Sequence, residues 1–140
     1  MPDKLLFLLS RVQSKLTTHV KRELKKKDIA LSPGQIGILL VLERDGQTSM
    51  GHLSQTLDID NAAISRLVDK LEKQKLVKRY INLDDRRQVL IFATEAGMNH
   101  AREAKKVANA ANSKIKAGFT EKEIAIYKKV NQAILEKFKE

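Results

Sequence analysis

The 140 residues contain no cysteine, which excludes disulfide cross-links, thiolate metal sites and any thiol-based redox switch. Tryptophan is also absent, and aromatic residues make up only 4% of the chain. With Leu, Ile, Ala, Lys and Glu dominant, that composition suits a helical protein better than a β-sandwich or barrel. Long hydrophobic runs are missing too. The apolar stretch Leu5 to Leu9 is far too short to span a membrane and is followed at once by Arg11 and Lys15, which speaks against an export signal. A cytoplasmic protein without a membrane partner is the resulting expectation. No nucleophile motif, glycine-rich phosphate loop or paired His/acid spacing occurs, so an enzyme has little support and no cofactor is expected. Three scattered histidines, His19, His52 and His100, make a metal site improbable.

At 42% hydrophobic content the chain is long enough for one respectable core. The net charge of +10 and isoelectric point near 9.9 favour a polyanionic partner, either nucleic acid or an anionic membrane surface. Residues 1–27 carry eight Lys/Arg against two acids, whereas residues 49–93 carry eight against six. The densest cluster, Lys21 to Lys27, has two readings: cations complementing the negative end of a helix dipole, or direct phosphate contacts.

Apolar residues at threes and fours from Leu5 to Leu24 predict a long amphipathic helix from Lys4 to about Lys27. Ser32, Pro33 and Gln35 write a capping box for a second helix that ends at Asp45-Gly46. Ser49 caps a short helix through Leu57. Asp60 caps the next, running to about Lys73, with Ile64, Leu67, Val68 and Leu71 on one face. Ala62, Arg66, Asp69 and Lys73 point the other way, with Ser65 and Lys70 on the flanks. "LVKRYI" and "QVLIF" bracket the polar "NLDDRR" and predict a β-hairpin. Thr94 caps a long alanine-rich helix ending near Gly118. Thr120 and Glu123 box a last helix whose stripe is Ile124, Tyr127, Val130, Ile134 and Phe138.

Two helices joined by a tight turn, the second exposing small and basic side chains, with a hairpin after them, describe a winged helix-turn-helix. The chain at this point resembles the MarR family of bacterial winged-helix transcriptional regulators. The resemblance rests on "LSPGQIGILLVL", "ISRLVDKLEKQKLVKR", "DDRR" in the wing and "ATEAG" opening the following helix. It covers essentially all 140 residues. Ala93-Thr94 stands where the family usually shows Leu-Thr, and Asp60 where an uncharged cap is common.

The fold class expected is therefore mainly α with a small β-hairpin wing: a winged helix-turn-helix, residues 31–97, embedded in dimerisation helices at 1–30 and 98–140. The resemblance implies a homodimer that inserts the Asp60-capped helix into the major groove of an operator and its wings into minor grooves. By chemistry, Asn61, Ala62, Ser65 and Arg66 suit base edges, since Arg matches guanine and Asn matches adenine. Ser49, Lys70, Lys73 and Arg86 are the candidate phosphate contacts. Similarity to the family's Asp-x-Arg wing points to Asp85 orienting Arg87 in a narrow minor groove. Asp84 has no assigned role. The family commonly binds aromatic or phenolic anions between dimerisation helices and winged module; Arg11, Lys15, His19 and His100 are the residues here that can meet one. The expected function is a repressor of a pseudo-palindromic operator released by such an effector, the alternative being an effector-independent architectural DNA binder. Lacking cysteine, the chain cannot use the peroxide sensing of one branch of that family.

Overall fold

The computed structural model describes residues 3–139. Its elements run α1 (Leu5–Lys25), α2 (Pro33–Asp45), β1 (Thr48–Ser49), α3 (Met50–Leu57), α4 (Asn61–Lys73), β2 (Val77–Ile81), β3 (Val89–Ala93), α5 (Glu95–Lys116) and α6 (Glu121–Lys137). The capping chemistry accounts for most of these boundaries. Ser32 and Gln35 form the reciprocal capping box of α2, as Thr120 and Glu123 do for α6. Ser49 accepts from the His52 amide at 3.1 Å, and Asp60 from the Ala63 amide at 2.8 Å. Each cap satisfies an amide that the helix itself leaves unpaired.

Two compact units result, Met1–Ala108 and Asn109–Glu140, and α5 continues from the first into the second. The first holds the core. The sequence of α2 is apolar nearly all round, and five of its hydrophobic residues, Ile36, Ile38, Leu39, Val41 and Leu42, are buried. Packed in the same cluster are Leu24 of α1, Leu53 of α3, Ile64, Val68 and Leu71 of α4, and Ala101, Ala104 and Val107 of α5. Each fully buried Leu or Ile contributes about 1.5–3 kcal/mol of transfer free energy.

The hairpin expected from the sequence is present, but the sheet has a third strand. β1 pairs antiparallel with β3, giving the order β1-β3-β2, with Thr48 opposite Ile91 and Arg79 also opposite Ile91. A two-residue strand offers no alternation to read, so only its partner reveals it. Tyr80 and Phe92 stack in tilted fashion across β2 and β3, their ring centroids 5.5 Å apart.

Where β3 turns into α5, one glycine is obligatory. A Cβ on Gly97 would fall 1.9 Å from the Leu76 carbonyl oxygen. The same carbonyl accepts the Thr94 amide at 3.0 Å, while the Thr94 hydroxyl donates to Lys75 O at 2.8 Å and accepts from the Gly97 amide at 3.1 Å. α5 is thereby clamped to the entry of β2.

In the second unit, Gly118 takes φ +86° to close the turn after α5. α6 has no buried residue: Tyr127, Val130 and Phe138 are exposed, and Ile124 and Ile134 half-buried. The first half of α1 is similar, with Leu5, Leu6, Phe7, Leu8, Leu9 and Val12 all exposed. No helix among the described residues is long and apolar enough to cross a membrane.

Candidate nucleic-acid interface

α3 and α4 form the helix-turn-helix. Asp58 ends α3 in the left-handed region, φ +54°, and the Ser54 hydroxyl donates to Ile59 O at 2.6 Å, so the turn is held from inside before Asp60 starts α4. Leu53 from one helix and Ile64, Val68 and Leu71 from the other are completely buried. That burial turns the opposite side of α4 outward.

Asn61, Ala62, Arg66, Asp69, Lys70 and Lys73 are exposed there, and Ser65 is half-buried beside them. No ion pair or side-chain hydrogen bond engages Arg66, Lys70, Lys73 or Arg86 among the described residues. Their charge is available to a ligand. Ser49 is half-buried, its hydroxyl already accepting from His52 N.

The wing tip is built by polar cross-ties. Asn82 donates its amide to Gln88 O at 3.0 Å and its side-chain NH₂ to Gln88 Oε1 at 2.8 Å, closing the mouth of the loop. Inside, Asp85 Oδ1 accepts both the Arg87 amide at 3.1 Å and the Arg87 Nε at 3.2 Å. The carboxylate thus orients a guanidinium whose side chain is 92% exposed. Asp84, whose place in the sequence suggested no role, donates its amide to Asn82 Oδ1 at 3.0 Å, so its backbone is part of the loop's turn.

Open clefts among the described residues of the first unit include the following two. One, about 580 Å³, is lined by Ser49, Met50, Gly51, Asp85, Arg87, Gln88 and Val89, between the start of α3 and the wing. The other, about 450 Å³, is lined by Lys21, Lys25 and the segment Ile29–Ser32. Arg11, Lys15, His19 and His100 line neither. Arg11 and Lys15 are exposed on α1, His19 is half-buried, and His100 Nδ1 lies 2.9 Å from Ala96 O. Of the basic cluster, Lys26 pairs with Glu23 at 3.1 Å and Lys27 with Glu103 of α5. At the foot of α3, the Arg44 guanidinium and then His52 hold Asp45 down to a pKa of about 2.

Residues 31–88, from the α2 cap through the wing, match the MarR family. In that segment the chain is similar to the MarR family. It is similar to the uncharacterized HTH-type transcriptional regulator YhbI of Bacillus subtilis, 37% identical over 82 residues that cover 55% of this chain and 53% of YhbI. Among solved structures it resembles CouR from Rhodococcus jostii RHA1 bound to p-coumaroyl-CoA, with TM-score 0.77, 29% identity and coverage of 94% and 92%. The MepR–DNA complex of S. aureus shares the fold, with TM-score 0.83, 20% identity and coverage of 96% and 98%. The chain spans about half to two thirds of the length of the curated relatives it matches.

Within this winged segment, sequence reasoning did not place Arg79 or Tyr80. Arg79 of β2 reaches back to α4, where Nη2 donates to Asp69 and Nε to Glu72 at 3.3 Å. The hydrogen bond it donates to Asp69 leads the causes that push its guanidinium above its ordinary pKa. The signal was faint: a charged residue at a half-buried strand position, ten residues from its acid. Likewise Tyr80 donates its hydroxyl to Gln47, tying β2 to the segment before β1.

Proposed function

We propose that this chain is a homodimeric, sequence-specific DNA-binding transcriptional regulator. In this reading α4 enters the major groove, Asn61, Ala62, Ser65 and Arg66 read base edges, and Ser49, Lys70, Lys73 and Arg86 hold phosphates. Arg87, aimed by Asp85, enters the minor groove. The observation that carries it is the wing: a guanidinium almost wholly in solvent is held in one orientation by a carboxylate two residues away. An exposed ion pair adds little to stability, about 0–1 kcal/mol, so its orientation is better explained by a ligand than by the fold. Homodimerisation is supported by the uncovered apolar residues of α1 and α6, for which residues 1–30 and 98–140 are the proposed interface. Repression of a pseudo-palindromic operator, released by a small aromatic or phenolic anion near Arg11, Lys15, His19 and His100, is the regulatory form of this reading. CouR, with its bound p-coumaroyl-CoA, supports that ligand class.

The test is a binding titration against duplexes selected from a random pool and against unselected DNA, repeated across salt. A regulator shows a steep salt dependence together with a specificity ratio of about 10³ or more. A ratio near one makes the chain an architectural binder, and no binding to either duplex overturns the DNA reading.

A further inference from the structure

Within α4, Asp69 and Glu72 are the only acids, and each precedes a lysine of the exposed stripe, Lys70 and Lys73. Toward a polyanion these two carboxylates are repulsive charges set among attractive ones. Both are substantially exposed, at 51% and 42% of their side chains. Both are engaged by a single guanidinium, that of Arg79, which comes from the neighbouring strand and is the more buried member of the trio. The register fixes its origin: Arg79, midway along the edge strand β2, pairs with Ile91, a fully buried residue of the central strand.

We propose that Arg79 is a positioning residue for DNA binding, acting through Asp69 and Glu72 to mask their charge from the phosphates flanking α4. The inference rests on the DNA-binding reading above. Exposed ion pairs contribute little to folding stability, whereas an unmasked carboxylate repels any phosphate within a Debye length, about 8 Å at physiological ionic strength. The stripe then presents Arg66, Lys70 and Lys73 beside two carboxylates that share one guanidinium, so one net negative charge stands where there would be two. Arg79 need not touch DNA at all.

Four forms of the full chain test this: wild type, Arg79→Gln, Arg79→Gln with Asp69→Asn and Glu72→Gln, and the two acid substitutions alone. Each is titrated by fluorescence anisotropy against a random-sequence duplex and one selected duplex at several salt concentrations, with a thermal melt alongside. Arg79→Gln is expected to weaken binding about three- to tenfold at low salt and to flatten the logarithmic salt slope by about one. Removing the two carboxylates from that variant restores wild-type affinity or better, and removing them with Arg79 present tightens binding beyond wild type. Wild-type affinity in Arg79→Gln overturns the proposal. So does a loss that persists in the triple variant, which assigns Arg79 to direct phosphate contact if the melts agree and to bracing the fold if they do not. Failure of the wild type to bind either duplex is a separate result, read before any variant, and it removes the DNA-binding reading itself.

Discussion

The two compact units use hydrophobic residues in opposite ways. In residues 3–108, α2, α3, α4 and the sheet converge on one cluster in which Leu24, Ile38, Leu39, Leu53, Ile64, Val68, Leu71 and Ile91 are completely buried. In residues 109–139, α6 keeps a similar apolar periodicity yet buries nothing. The difference teaches that a periodic stripe specifies a helix and a face, but not what the face meets. For α4 the partner is in the same unit, and its polar side is freed for a ligand. For α6 the apolar side is itself the unfinished surface.

That contrast is open to direct attack, beginning with the core. Leu39→Ala, at a fully buried position, is expected to cost about 2–5 kcal/mol in chemical denaturation. Val130→Ala, nearly half exposed, is expected to cost far less at low protein concentration and progressively more as concentration rises, because in the proposed homodimer a second copy buries it. A concentration-independent cost at Val130 breaks the comparison and the dimer reading with it.

Next comes the clamp between β2 and α5. Gly97→Ala sets a methyl group against the Leu76 carbonyl and is expected to destabilise by about 1–3 kcal/mol. A neutral effect in the same denaturation experiment means α5 is not held at Leu76.

At the wing tip of the same unit, Arg87→Ala is expected to leave the melting curve unchanged, since its side chain is 92% exposed, while, on the proposed function, weakening binding to a selected duplex by about 1–3 kcal/mol. Wild-type affinity in this variant removes the wing from the interface.

The smallest effect is acid sensitivity at the end of α2. Asp45 is depressed from 3.8 to about 2, foremost by its hydrogen bond from Arg44. A depressed carboxylate stabilises the folded state above its unfolded pKa, and that contribution is lost as pH falls from 3.8 through about 2. Asp45→Asn is therefore expected to lower stability slightly near neutral pH and to narrow the gap from wild type on acidification to pH 2. Parallel melting-temperature profiles for the two proteins, with no convergence at low pH, contradict the assignment.

Element boundaries were legible in the sequence wherever a cap wrote them. Ser32, Ser49, Asp60, Thr94 and Thr120 each act within three residues of their own position, so the chemistry that starts a helix is printed beside it. The wing pair was legible for the same reason, Asp85 and Arg87 being two residues apart. β1 was not, because two residues carry no period and Thr48 becomes a strand only opposite Ile91. Nor was the role of Asp69 and Glu72, which read as stray acids on a basic helix until a strand returned Arg79 to them.

By itself, then, the sequence determined the order of helices, the hairpin, the caps and the cationic face of α4, all consequences of interactions within a few residues. Tertiary structure alone decided the third strand, the demand for glycine at position 97 and the pairing of α4's acids with Arg79 of β2. Those depend on which distant backbone and side-chain atoms are brought within a few ångströms, a property of the packed chain that local spacing does not encode.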